Sequence, residues 1–145
     1  MRILGLDYGS RRIGVAISDE LGMTAQGLAT VARRNREQDL NALAALIQSW
    51  KVEKIVVGYP LRLDGTEGIQ CEKVERFCQM LESRFGLPVY RWDETLTTKE
   101  AEQLLAEAHT RRKKRKALVD KVAACLILQG YLDDLGRREG SRPVT

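Results

Sequence analysis

The sequence predicts an α/β fold, a mixed five-stranded sheet flanked by helices. Three observations carry this. The chain opens with two short apolar runs joined by a glycine turn, which reads as an antiparallel hairpin. Later segments alternate short β-branched runs with stretches whose apolar residues recur every three or four positions. A hairpin that feeds such strand–helix–strand units makes a sheet antiparallel on one side and parallel on the other.

The hairpin occupies Arg2–Asp19. Ile3, Leu4 and Leu6 lead to Asp7, and Gly9 and Ser10 form the turn. Ile13, Val15 and Ile17 then alternate with Gly14, Ala16 and Ser18, so one face of the second strand carries only small side chains and admits a close neighbour. Met23–Val31 reads as a weaker third strand. Leu40, Leu43, Ala44, Ile47 and Trp50 mark a helix over Arg36–Lys51. Ile55, Val56 and Val57 centre a buried strand over Glu53–Gly58, and Pro60, Asp64-Gly65 and Gly68 make Tyr59–Gly68 a loop. Val74, Phe77, Cys78 and Leu81 place a second helix over Gln70–Phe85, closed by Gly86 and Pro88. Val89–Trp92 is the last strand and runs into Asp93-Glu94. Thr97 or Thr98 caps a third helix, which leads down to six consecutive basic residues, Arg111–Lys116. The last helix is expected over Leu118–Leu135. Residues 1–136 then form one domain, and 137–145 a flexible basic tail.

Composition narrows the chemistry. The 145 residues carry 24 Lys and Arg against 20 Asp and Glu, a net charge of +4, so the placement of charge matters more than its sum. No apolar run approaches the ~18 residues of a membrane span, and the first residues do not resemble a signal peptide. The expectation is a cytoplasmic protein with no membrane partner. Cys71, Cys78 and Cys125 form no CxxC, and buried thiols are the simpler reading. His109 is the sole histidine, which leaves no material for a histidine zinc site or a Ser–His–Asp triad. Hydrolytic chemistry would have to run on carboxylates.

Three carboxylates stand out. Asp7 ends the first strand, although an aspartate beside glycine also serves as a turn former. Glu94 follows the last strand, although it would also suit the start of the next helix. Two acids at strand ends in one sheet can lie side by side, because neighbouring strands are ~4.8 Å apart, which raises the functional reading of Asp7 and Glu94 without securing it. Asp120 falls at the start of the last expected helix, on the edge of the stripe Ala124, Ile127, Tyr131, where burial is costly without a partner. Three converging acids suit hard cations, Mg²⁺ or Mn²⁺, which act on phosphodiesters in pairs. Arg111, Arg112, Lys113, Lys114, Arg115 and Lys116 would hold the phosphate backbone beside them, or else form a solvated charge run. Arg33, Arg34 and Arg36 could extend that surface.

The motifs GLDYGSRRIGVAISD, VGYPLRLDGTEG, WDETLTTKEAE and VDKVAACLILQGYLD, in this order, resemble the YqgF/RuvX family, whose members are described as Holliday junction resolvases or pre-16S rRNA nucleases. The resemblance covers Arg2 to Asp134. It implies an RNase H-like fold, a cytoplasmic nuclease that trims the 5′ end of the small-subunit rRNA precursor, and acidic residues at Asp7, Glu94 and Asp120. This chain reads Asp93-Glu94-Thr95 where the family usually has Asp-Glu-Arg, and it has Tyr59 where Leu is usual.

Two other classes remain open at this level. Asp-x-Gly-Ser followed by Gly-Val-Ala resembles the phosphate loop of actin-like and sugar kinases, although one such domain alone forms no nucleotide cleft. A non-catalytic nucleic-acid binder acting in transcription or ribosome assembly would use the basic run without the acids. The nucleic acid itself is either an rRNA precursor or branched DNA. A junction enzyme must cut two strands symmetrically as a homodimer, whereas an RNA-trimming enzyme can act as a monomer.

Overall fold

A computed structural model describes residues 1–59, 69–93 and 112–140, with side chains at 1–59, 71–92 and 121–136. Its elements in chain order are β1 (Arg2–Tyr8), β2 (Arg12–Ser18), β3 (Ala25–Ala32), α1 (Arg36–Trp50), β4 (Val52–Tyr59), α2 (Ile69–Phe85), β5 (Val89–Asp93) and α3 (Arg112–Gly140). The sheet order is β3-β2-β1-β4-β5. β1, β2 and β3 pair antiparallel, whereas β1, β4 and β5 run parallel. This is the expected five-stranded mixed sheet. The loop expected over Tyr59–Gly68 starts no earlier than residue 60, because Tyr59 ends β4; residues 60–68 and the helix expected from Thr97 or Thr98 lie outside the described residues.

Alternation along the strands builds two cores. Leu4, Leu6, Ile13, Val15, Ile17, Ile55 and Val57 face α1 and α2, where Leu40, Leu43, Val74, Phe77, Cys78 and Leu81 meet them. Ile3, Ala16 and Val56 face α3, against Ala124, Ile127, Leu128 and Leu132. Asn35 caps α1 by accepting the Gln38 N–H, and the helix ends on Lys51 in the left-handed conformation, at φ 53°. The first turn is closed by the Gly9 N–H donating to the Arg12 carbonyl at 2.9 Å, and a Cβ on Gly9 would sit 2.6 Å from that same oxygen. Only glycine fits there.

The small-residue face of β2 is covered by α3. Gly5 pairs with Ala16, and Ala16 with Gly27, so three small residues make a row across three strands. A Cβ on Gly5 would lie 2.7 Å from the Leu128 Cβ, and one on Gly27 would lie 2.8 Å from the Lys121 side chain. The direction of α3 follows from its neighbours. Ala25 meets Gln129, while Gly27, two residues further along β3, meets Cys125 and Lys121. α3 therefore runs antiparallel to β3, and hence to β1.

The last helix is longer than its apolar stripe suggests. It starts at Arg112 rather than Leu118 and ends at Gly140 rather than Leu135, taking in the first residues of the expected tail. Its added first turns contain no apolar residue except Ala117, so periodicity could not find them, although Arg and Lys are good helix formers. No helix among the described residues is long and apolar enough to cross a membrane.

Candidate active site

The candidate site lies at the carboxyl end of β1, β4 and β5, where open α/β sheets collect ligands. Asp7 is the penultimate residue of β1 and is half-buried. Alternation places it on the same face as Ile3 and Gly5, the face that α3 covers. Its partner in β2 is Gly14. The β1–β4 register, Leu6 with Val57, brings Gly58 alongside it on the other side. Asp7 is thus flanked in the sheet by two residues without side chains.

Asp120 is brought to the same level by its backbone. It lies one helical turn before Ala124, whose carbonyl oxygen is among the nearest atoms to a Cβ built on Gly5. Asp7 lies two strand residues past Gly5, a step of ~6.6 Å, in the direction in which α3 runs back toward its start. The start of α3 at Arg112 corrects one expectation. Asp120 is not near a helix N-terminus but eight residues inside it, so compensating a helix dipole does not account for an acid there.

A second expectation changes more. Asp7 and the end of β5 are not on adjacent strands, because β4 runs between them. Two strand spacings, ~10 Å, separate their backbones. The intervening residue in the sheet is Gly58, which pairs with Trp92 and puts no side chain into the gap. Glu94 itself follows Asp93, the last residue of β5, and lies outside the described residues. So does Arg111, while Arg112–Lys116 form the first turns of α3. Among the described residues, no group of three potential metal ligands occurs. A cleft of about 950 Å³ lies at the opposite end of the sheet, lined by Met1, Leu21, Met23 and Lys54, but it gathers none of these acids.

The sequence reading missed the clamp that holds β5. Arg91 donates to both carboxylate oxygens of Glu75, at 2.9 and 2.7 Å, and to Glu82 at 2.8 Å. A fourth hydrogen bond reaches the Val89 carbonyl at 3.0 Å. The signal was available: an arginine on the inward face of a strand requires acids on the covering helix, and Glu75 and Glu82 are seven residues apart on one face of α2. The fork holds the Glu75 carboxyl below its ordinary value of 4.5. A depressed folded value means that this stabilisation is present above about pH 4.5 and is lost as pH falls through the folded value. Arg91→Ala should therefore lower stability by no more than about 1 kcal/mol at pH 7, since solvent reaches the pair. The difference from wild type should shrink as pH falls below 4.5 through the depressed folded value, as read by urea unfolding over a descending pH series.

Burial pushes the Cys78 thiol up to about 12 and raises that of Cys125, so neither is a thiolate nucleophile at neutral pH. His109 lies outside the described residues.

Comparison with known proteins agrees with this architecture. The family model described as RuvX, Holliday junction resolvase, matches residues 1–134. A protein of Syntrophus aciditrophicus, named as a candidate pre-16S rRNA nuclease, is 60% identical over 139 residues, which is 96% of this chain and 93% of that protein. One of Halothermothrix orenii with the same name is 52% identical, over 97% of this chain and 100% of its own length. Among solved structures, Thermus thermophilus RuvC in complex with a Holliday junction aligns with TM-score 0.55 at 15% identity, over 99% of both chains. The fowlpox virus resolvase, also solved with junction DNA, aligns with TM-score 0.56 at 13% identity, over 93% of this chain and 99% of that one. At such identities the structures speak for the fold, which is RNase H-like. The model match over nearly the whole chain, together with relatives at 50–60% identity that are named as nucleases, shows that this chain belongs to the RuvX family.

Proposed function

We propose that this nuclease hydrolyses phosphodiester bonds near the 5′ end of the pre-16S rRNA, in the cytoplasm. In this reading Asp7, Glu94 and Asp120 hold divalent cations, Mg²⁺ or Mn²⁺, and Arg111, Arg112, Lys113, Lys114, Arg115 and Lys116 hold the RNA backbone. The observation that carries it is the placement of Asp7 and the Asp120 backbone at one level of the sheet's carboxyl end, with glycine on either side of Asp7. Carboxylate oxygens are the donors that such hard cations take. When bound, the cations would polarise the scissile phosphate and make water a stronger nucleophile. The chain's own part is to fix the acids on a rigid strand and a rigid helix, and to neutralise the incoming phosphates.

The basic run supports the same reading. Cations in the first turn of a helix, with no acid among them, oppose the helix dipole at about 0.3–1 kcal/mol each. An anionic partner offsets that cost. A second reading, resolution of branched DNA, is favoured by the description of the matched family. It requires a two-fold dimer, whereas trimming RNA needs a single site in a monomer. Incubation of labelled 5′-extended 16S precursors and four-way junctions with Mg²⁺ or Mn²⁺ separates them. Cleavage of the precursor alone supports the proposal, and cleavage of junctions alone replaces it with the second reading.

A further inference from the structure

The end of the sheet that carries Asp7 has a second basic surface, on the side away from α3. Arg11 lies in the β1–β2 turn, and Arg33, Arg34 and Arg36 lie where β3 passes into α1; all four are exposed. The two segments are tied together by the Arg33 N–H, which donates to the Arg11 carbonyl at 2.9 Å. The Arg33 guanidinium lies 4.4 Å over the Tyr8 ring and donates to the carbonyls of Gly9 and Ser10 at 3.0 and 3.3 Å. Tyr8 in turn stacks on Phe77 with ring centroids 4.0 Å apart. An arginine held this way has already given up much of its rotamer freedom and keeps donors for an anion.

No ion pair among the described residues engages Arg11, Arg33, Arg34 or Arg36. The nearest buried acid, Asp39, spends its carboxylate on the Arg34 backbone N–H at 2.9 Å. A cleft of about 270 Å³ opens among these groups, with Arg33, Arg34 and Arg36 at its rim and Leu40, Phe77 and Met80 beneath. Every cation in the cluster is an arginine, the residue whose planar fork matches a phosphate group.

We propose that Arg11, Arg33, Arg34 and Arg36 form a phosphate-binding surface for the substrate strand, on the opposite face of the sheet from the basic run of α3. The proposal deepens the nuclease reading and rests on it. Asp7 and Tyr8 are consecutive in β1 and so face opposite sides of the sheet. A strand that reaches both Asp7 and the Arg33–Tyr8 stack must pass over the carboxyl edge of the sheet. The scissile phosphate then lies between two points of attachment, one on each face, which fixes its position along the strand.

The test measures binding of a labelled single-stranded RNA from the precursor 5′ region by fluorescence anisotropy in EDTA, over a salt series. Arg34→Gln/Arg36→Gln is the informative variant, because Arg33 also braces the turn and its loss could disturb folding. Removing the ion pairs to two phosphates of a single strand should reduce the slope of log K against log salt by about 1.4. Affinity at 0.15 M salt should fall roughly tenfold, with an unchanged melting temperature. Arg34→Lys/Arg36→Lys should restore the slope. A slope and an affinity equal to wild type in the glutamine variant would overturn the proposal. The nuclease reading is decided separately, by cleavage with metal: a wild type that cuts but whose binding ignores Arg34 and Arg36 sinks only this inference.

Discussion

Asp7→Asn is expected to reduce cleavage by about 10³-fold, the scale on which a preorganised electrostatic group is lost, while nucleic-acid affinity stays within about twofold of wild type. The exchange removes a charge at nearly constant shape on a rigid strand. The basic residues proposed to hold phosphates are untouched. If Asp7, Glu94 and Asp120 converge as proposed, their charges repel each other in the metal-free protein, so the asparagine variant should melt at least as high as wild type. Added Mg²⁺ or Mn²⁺ should reverse the order. A cation that binds only the folded state at a hundredfold excess over its Kd stabilises by about 2.7 kcal/mol, which raises Tm by roughly 5–10 °C in a chain of this size. The variant should gain much less. If Asp7 only braced the turn, asparagine would do nearly as well; the turn already has its own backbone bond from Gly9 to Arg12. Equal metal shifts in the two proteins, with cleavage retained, would remove the metal site and leave a structural aspartate.

Gly5→Val is the most damaging single change expected away from the acids. A Cβ at this position meets the Leu128 Cβ at 2.7 Å and the Ala124 carbonyl oxygen at 3.2 Å. Neither atom is the far end of a flexible side chain, so α3 itself must move off the sheet. Overpacking of a rigid core costs about 1–3 kcal/mol for added methylenes, and a branched residue against a helix backbone belongs at or above the top of that range. Chemical denaturation should show a loss of about 3 kcal/mol or more. The geometry also says which second change cannot help. Leu128→Ala keeps the offending Cβ, so Gly5→Val/Leu128→Ala should be no more stable than Gly5→Val. Recovery of stability in the double variant would show that the clash lies with the leucine tip instead.

Much of this fold is legible in the residues because periodicity reports which side of an element is buried. The alternation of Ile13, Val15 and Ile17 with Gly14, Ala16 and Ser18 announces both a core face and a face for close approach, and α3 occupies the latter. The stripe in α2 is readable in the same way. What periodicity lacks is information about segments with no recurring apolar residue, hence the missed start of α3 at Arg112. It also says nothing about which strand inserts between which. That β4 alone stands between β1 and β5 in space, and so between Asp7 and the strand leading to Glu94, depends on crossovers that no local pattern encodes. The clamp at Arg91 escapes for a different reason, since a charged residue in a strand is ordinarily read as solvent-facing.

The length of α3 turns the distance between charge and chemistry into a matter of phase. Its 29 residues span ~43 Å, against ~23 Å for the seven residues of β1. Contact with the sheet is in place by Lys121, so Arg112–Lys116 precede it on a continuous helical rod. In such a rod every residue added between Lys116 and Asp120 lengthens the separation by about 1.5 Å and rotates the basic turn by about 100°. Two inserted alanines would swing it to nearly the opposite azimuth, whereas four would return it to within about 40° of the original while lengthening the rod by only ~6 Å. Substrate binding that falls with two inserted residues and recovers with four would mark the helix as a register device, in which angle counts for more than length.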